Sequence, residues 1–203
     1  MAAALAEHGW GDGLPVVAPT EDRVGAMLDA AGGDPDEVVA VLPPRFGVAT
    51  RRTVAVNAVM AGCPPAVLPV VVRAVEALAR PEVNLRGVQA TTHPAAPLVI
   101  VHGEAGARLG FNAGAGAFGP GCRANATVGR AIRLVLMHVG GAYPGDGDAS
   151  TQAQPAKYTY CVAENTEASP WPAYHRSRGV DSPSAVTVAC QENRSPNHQR
   201  LSH

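Results

Sequence analysis

The chain has 203 residues, 46% of them hydrophobic and 16% charged, with 16 Lys and Arg against 17 Asp and Glu. That length can bury a real core in one domain, and the apolar content is too high for a disordered chain. A formal net charge of −1 lacks the basic excess that binding to nucleic acid requires, so no nucleic-acid partner is expected.

With 22 Gly and 18 Pro, the chain predicts many tight turns. Residues 1–9 (MAAALAEHG) lack the basic start and apolar stretch of a signal peptide. The longest apolar runs, Val67–Val72 and Leu98–Val101, are too short to span a bilayer. The expectation is a cytoplasmic protein with no membrane partner. Cys63, Cys122, Cys161 and Cys190 are widely spaced, with no CxxC pair, which favours reduced thiols.

In chain order, residues 10–20 (WGDGLPVVAPT) form a turn-rich lead-in stiffened by Pro15 and Pro19. Thr20 caps a helix that puts Val24, Met27 and Leu28 on one face and ends at Gly32-Gly33. Val38–Leu42 reads as a short buried strand stopped by Pro43-Pro44. Thr53–Ala61 and Ala66–Leu78 read as two helices around the bend at Cys63-Pro64-Pro65, with Pro69 tolerated in a first turn. Gly87–Thr91 and Leu98–His102 read as strands flanking Thr92-His93-Pro94.

A glycine-rich stretch, Gly103–Gly121, leads into a helix over Arg123–His138, where Val128, Ile132, Val135 and Leu136 recur at helical spacing. After a polar loop over residues 142–157, Lys157–Ala163 alternates as a strand and Ala185–Cys190 as a last one. Residues 191–203 turn abruptly polar and are expected to fray. Strands alternating with helices predict an α/β fold. The expected form is one compact domain over residues 1–190, a mixed sheet with flanking helices and glycine-rich loops.

Gly114–Gly119 matches GxGxxG by letter. A dinucleotide fingerprint would run from a strand straight into a helix, with an acidic residue about 20 positions on. Here Pro120 and Gly121 intervene, and Leu134–Leu136 occupy that offset. No P-loop is present either. A less specific reading stands better: Gly119, Gly121, Arg123 and Asn125 bring free N–H groups and a positive charge to a helix N-terminus, which attracts anions. The alternative is a tight turn whose glycines serve packing only.

Cys161 ends a presumed strand and is followed by Glu164, Asn165, Glu167 and Trp171. A thiolate is a nucleophile and a partly buried Glu can carry a proton; equally, Cys161 suits a core and the carboxylates suit a cap. His93, on a loop between strands, is placed for proton transfer or for bonding backbone. His102 and His138 lie in apolar contexts and read as structural or exposed, and His175 carries no local signal. Asn57 and Cys63 bracket a helix end, where Asn57 could bind substrate and Cys63 could serve catalysis or packing, and Asp12 could face a pocket. No HxxxH, HExxH or paired CxxC spacing predicts a metal site.

The strings DGLPVVAPTEDRV (12–24), AVNAVMAGC (55–63), GVQATTHPAAPL (87–98), GAGAFGPGCRANATVGRAIRL (114–134) and YCVAENTEASPW (160–171) resemble a bacterial family marked by a DGLPVVPPT-like string. That family is associated with proteins of the UGSC motif, some of which contain selenocysteine. The resemblance covers roughly residues 8–190. Ala18 stands where the family has a proline, and the end after Val188 is short and polar. Short proteins resembling this kind occur as paired subunits in secondary-metabolite pathways that build aziridines.

The resemblance therefore implies a cofactor-independent lyase or cyclase subunit, working with a homologous or neighbouring-gene protein. In it an amine displaces sulfate or phosphate within one small-molecule substrate. His93 or Glu164 would take the proton and Arg123 would meet the anion. Two alternatives remain open at this point: a thiol enzyme using Cys161 or Cys63, and a non-catalytic subunit that completes a partner's site.

Overall fold

The computed structural model describes residues 9–191. Helix α1, Glu21–Ala31, starts after Thr20 as expected; Thr20 makes no side-chain cap, but Glu21 and Asp22 in the first turn oppose the helix dipole. Val24 and Met27 are its buried face. Strand β1, Val38–Leu42, does not lie buried alone. It forms an antiparallel hairpin with β2, Gly47–Thr50, and Val38 and Val41 point to solvent. The four residues between the strands conceal β2 from a reading that stops at Pro43-Pro44.

Helix α2, Arg51–Ala61, opens on a reciprocal cap between Thr50 and Thr53 and closes at Gly62 in the left-handed region, φ +86°. A 3-10 turn, Pro65–Val67, leads into α3, Leu68–Leu78. Leu68, Val71, Val75 and Leu78 of α3 are fully buried, each contributing about 1.5–3 kcal/mol by leaving water. The segment expected as a strand at Gly87–Thr91 is instead α4, Leu85–Ala90. Its buried residues, Leu85 and Gln89, are four apart, which is helical spacing.

Strand β3, Ala96–Gly103, runs into a short helix α5, Glu104–Arg108. Helix α6 spans Arg123–His138. Two-residue strands β4, Tyr143–Pro144, and β5, Gly147–Asp148, pair in the following loop. Strand β6 is only Cys161–Ala163, because Pro155–Lys157 form a 3-10 turn that carries Lys157 inward. Helix α7, Tyr174–Ser177, precedes β7, Ser184–Gln191. The polar tail at 192–203 lies outside the described residues.

The main sheet has the order β6-β3-β7. β6 is parallel to β3 and β7 antiparallel to it, so this α/β domain has a mixed sheet. On one face Val99 and Val101 of β3, Cys161 and Ala163 of β6, and Val186 and Val188 of β7 meet the helical core. α6 covers β6, and α3 covers β7. On the other face, successive side chains point outward, and His102 is buried there under α7. No helix among the described residues is long and apolar enough to cross a membrane.

α6 approaches the chain before β6 closely at Gly129, where an added Cβ would stand 2.4 Å from Thr159 Oγ1 and from the Tyr160 nitrogen. Gly129→Ala is expected to destabilise the fold by about 1–3 kcal/mol, read as a lowered urea midpoint with an unchanged slope.

Candidate functional site at the carboxyl ends of the parallel strands

β3 and β6 are parallel, and the chain between them crosses through α6. Both strands therefore end at the same edge of the sheet, where α6 begins. In open α/β sheets, ligands bind outside these carboxyl ends. The N–H of Glu164 continues the ladder to the Val101 carbonyl at 2.9 Å, so Glu164 is the first residue beyond β6. Its Oε2 lies 2.6 Å from His102 Nδ1, and its Oε1 accepts the Tyr174 N–H at 2.7 Å. His102 Nε2 lies 2.8 Å from Thr187 Oγ1 on β7. Carboxylate, imidazole and hydroxyl thus stand in line across the outer face of the sheet.

Burial opposes the charge on Glu164, but the Tyr174 N–H and His102 outweigh it and hold the carboxyl below its ordinary range. Glu164 is therefore an ionised acceptor at neutral pH, with a side chain 17% exposed. His102, 1% exposed, stacks on Tyr174 with ring centroids 5.7 Å apart. His175 approaches from α7, its ring centroid also 5.7 Å from that of His102.

The glycine-rich loop borders the same edge. The Ala163 N–H faces the Asn112 carbonyl at 3.5 Å, and an open cavity of about 700 Å³ is lined by Asn112, Gly116, Gly121, Cys122 and Arg123 among others. Arg123 donates Nε and an Nη to the Gly62 carbonyl at 3.1 and 2.9 Å, which fixes its charge at the cavity mouth. Gly121 lies in the left-handed region, φ +115°, and lines that cavity.

Two neighbours have other work. Asn125 is buried, and its amide is fully used: Oδ1 accepts the Asn112 N–H and the Cys122 thiol, and Nδ2 donates to the Asn112 and Ala117 carbonyls. It ties the loop to α6 and has no group left for an anion. The Gly119 N–H is spent on the Gly116 carbonyl at 2.8 Å. The expectation of anion binding by these two residues is corrected.

Cys161 is also corrected as a nucleophile. Its side chain belongs to the core at 3% exposure, and burial pushes its thiol strongly up. Burial likewise lifts the Cys63 thiol to about 11. Both sulfurs are protonated at neutral pH.

The remaining expected residues sit elsewhere. His93 precedes β3, whereas Glu164 stands beside its far end, and a strand of eight residues is about 25 Å long. One substrate therefore cannot use both. The exposed His93 offers its backbone carbonyl to Ser150 Oγ at 3.0 Å. Asn57 bonds the Thr53 carbonyl and His138 Nδ1 from within the core, a packing role. Asp12 lines a cavity of about 310 Å³ with Arg133, Tyr143, Asp148, Ser150 and Lys157. There it is held by Arg130 Nε and Nη2, both at 2.7 Å.

The same cavity contains a charge cluster that sequence reading passed over. Lys157, the one lysine of the chain, reaches both Asp148 oxygens at 2.8 Å, and Arg133 meets Asp148 Oδ2 at 2.8 Å. All three residues are buried. Burial opposes ionisation of Asp148, but Lys157, Ser150 and Arg133 overcome it and lower its carboxyl; burial also lowers the Lys157 ammonium despite Asp148.

Thus Glu164, Arg123 and Gly121 come to one edge, while His93, Asn57 and Asp12 do not join them. His102, His175 and Thr187, which also gather at this edge, are the candidate groups that the sequence did not single out. Their one signal is polar side chains within otherwise apolar or featureless segments. No family model, no curated protein and no solved structure matches this chain.

Asp148→Asn removes the anion shared by two buried cations and is expected to cost about 3–5 kcal/mol in denaturant unfolding. Because the folded carboxyl titrates below its ordinary value of 3.8, the stabilisation from Asp148 is complete above that pH. It is lost as pH falls through the folded value. Alkylation of the native chain near pH 8 is expected to spare Cys63 and Cys161 and to reach them only on unfolding, as peptide mass spectrometry would show.

Proposed function

We propose that this chain is a subunit of a lyase- or cyclase-type enzyme that breaks a carbon–oxygen bond with loss of an anionic group. The reading is carried by one observation: the crossover from β3 through α6 to β6 brings an ionised carboxylate, Glu164, on the outer face of the sheet, to the same edge as the α6 N-terminus and Arg123 on the helical face, so that a substrate using both would wrap that edge. A base and an anion cradle at one edge are what such a reaction needs.

In the form the sequence resemblance suggests, an amine of the substrate attacks the neighbouring carbon that bears sulfate or phosphate. A C–N bond forms and the C–O bond breaks. The electron pair of the C–O bond leaves with the anion, towards Arg123 and the N–H groups of α6. The ammonium proton passes to Glu164, whose geometry His102 and the Tyr174 N–H hold. The oxidation level of the substrate does not change, so the step calls for no redox partner.

The thiol reading is disfavoured by the burial of Cys63 and Cys161. A partner subunit fits the exposed side chains of Phe118 on the glycine-rich loop and Trp171 beside α7, 65% and 76% exposed. Large exposed aromatic groups are enriched at protein interfaces.

The test is release of inorganic sulfate or phosphate from vicinal amino sulfate and amino phosphate esters, with the chain alone and co-expressed with neighbouring-gene products. Arg123→Ala is expected to slow release by about 10²–10³-fold, and Glu164→Gln by about 10²–10⁴-fold, with circular dichroism unchanged. Two limbs are expected in the wild-type rate: one where the substrate amine, which must be unprotonated to attack, takes up its proton, and a second only below the ordinary carboxylate range, where Glu164 is protonated. Undiminished turnover in Arg123→Ala sinks the reading.

A further inference from the structure

We propose that His102, Glu164 and His175 form a divalent metal site suited to Zn²⁺. Each offers one ligand atom, and these atoms lie within 4.8 Å of one another. Two imidazoles and a carboxylate are a set that zinc accepts, with a further position left for water or substrate.

The observation that sets this cluster apart from an ordinary hydrogen-bonded histidine pair is His175. It is 4% exposed, and its Nε2 lies 3.1 Å from the Ser182 carbonyl. A carbonyl only accepts, so Nε2 carries a proton, and in the neutral ring Nδ1 is then the acceptor. That Nδ1 is buried and has no hydrogen-bond partner. A buried acceptor left without a donor is costly and calls for a reason. A cation supplies one.

The surroundings of the three donors fit the same reading. Histidines that bind metal give their second ring nitrogen to a carbonyl, carboxylate or hydroxyl, which fixes tautomer and orientation. His175 has the Ser182 carbonyl, and His102 has Thr187 Oγ1 at 2.8 Å. In the metal-free chain Nδ1–H faces the Glu164 carboxylate; on loading, the proton would sit on Nε2 facing Thr187 and leave Nδ1 for the ion. Glu164 is held through its other oxygen by the Tyr174 N–H, which leaves Oε2 to ligate. Zn–N and Zn–O bonds of about 2.0–2.2 Å put neighbouring ligand atoms about 3 Å apart. Glu164 Oε2 and His102 Nδ1, now 2.6 Å apart, would therefore separate slightly to admit the ion. Glu164 is the one partly exposed member and marks the entry.

The three residues stand at 102, 164 and 175, on a strand end, a loop and a four-residue helix. No sequence spacing announces such a set. The inference goes beyond the leaving-group reading, and the two are tested by different signals. In the loaded chain Glu164 becomes a ligand, and water bound at the open position, made more acidic by the ion, exchanges the proton instead.

The experiment uses the full chain stripped with chelator, titrated with Zn²⁺ by calorimetry and assayed for metal after desalting. One ion per chain is expected, with a raised Tm. His175→Ala and Glu164→Gln should each weaken binding by at least 100-fold, Thr187→Val by about 10–100-fold, and His93→Ala not at all. Because His175→Ala could unfold, ¹⁵N shifts of the wild-type imidazoles provide a second readout, and a large zinc-induced shift of His175 Nδ1 is expected. No stoichiometric binding, or binding indifferent to His175 with its Nδ1 unshifted, overturns the proposal. Chelator-insensitive turnover that Glu164→Gln abolishes leaves the acid–base reading standing and removes the metal from it. Zinc held by these residues without any anion release does the reverse.

Discussion

The parallel pairing of β3 with β6 is the constraint on which the rest of the structure depends. Two parallel neighbours cannot be joined by a tight turn, so the chain must cross the sheet, and here it does so through α6. That single requirement sends the glycine-rich loop and the first turn of α6 to the carboxyl edge. It sends the last turn of α6 to the opposite edge, about 24 Å away for a helix of 16 residues.

The two edges solve different electrostatic problems. At the amino edge, Lys157, Arg133 and Asp148 are paired with one another in the wall of a cavity. Such a paired cluster is costly to break. At the carboxyl edge the groups are left unequal. Glu164 is ionised yet partly exposed, His175 keeps an unpartnered nitrogen, and Arg123 is tethered with its charge at a cavity mouth. Gln89 Nε2 and His138 Nε2 are also buried without a partner, but only at His175 does the unpartnered nitrogen belong to a residue clustered with other metal-ligating side chains.

Much of the fold was legible because its signals are local. The span of α6 follows from the 3.6-residue recurrence of Val128, Ile132 and Val135, and the bend between α2 and α3 from Gly62 and the Pro64-Pro65 pair. The misreadings share a cause as well. The hairpin partner β2 is four residues long and half exposed, and α4 is a six-residue helix that overlaps the expected strand at Gly87–Thr91. Short elements take their state from tertiary contacts rather than propensity. Cys161 and Asn125 looked reactive as letters. Depth in the core disarmed the first, and four hydrogen bonds consumed the second.

By itself the sequence determined the α/β class, the order of the long elements, the glycine-rich approach to a helix N-terminus and the reach of Glu164 beyond a strand. These depend on periodicity, caps and turn residues that act within a dozen positions. Only the tertiary structure decided that His102, Glu164 and His175 meet while His93 stands a strand length away. Which side chains converge is set by strand register and by the direction of a crossover. Neither leaves a trace in the spacing of the letters.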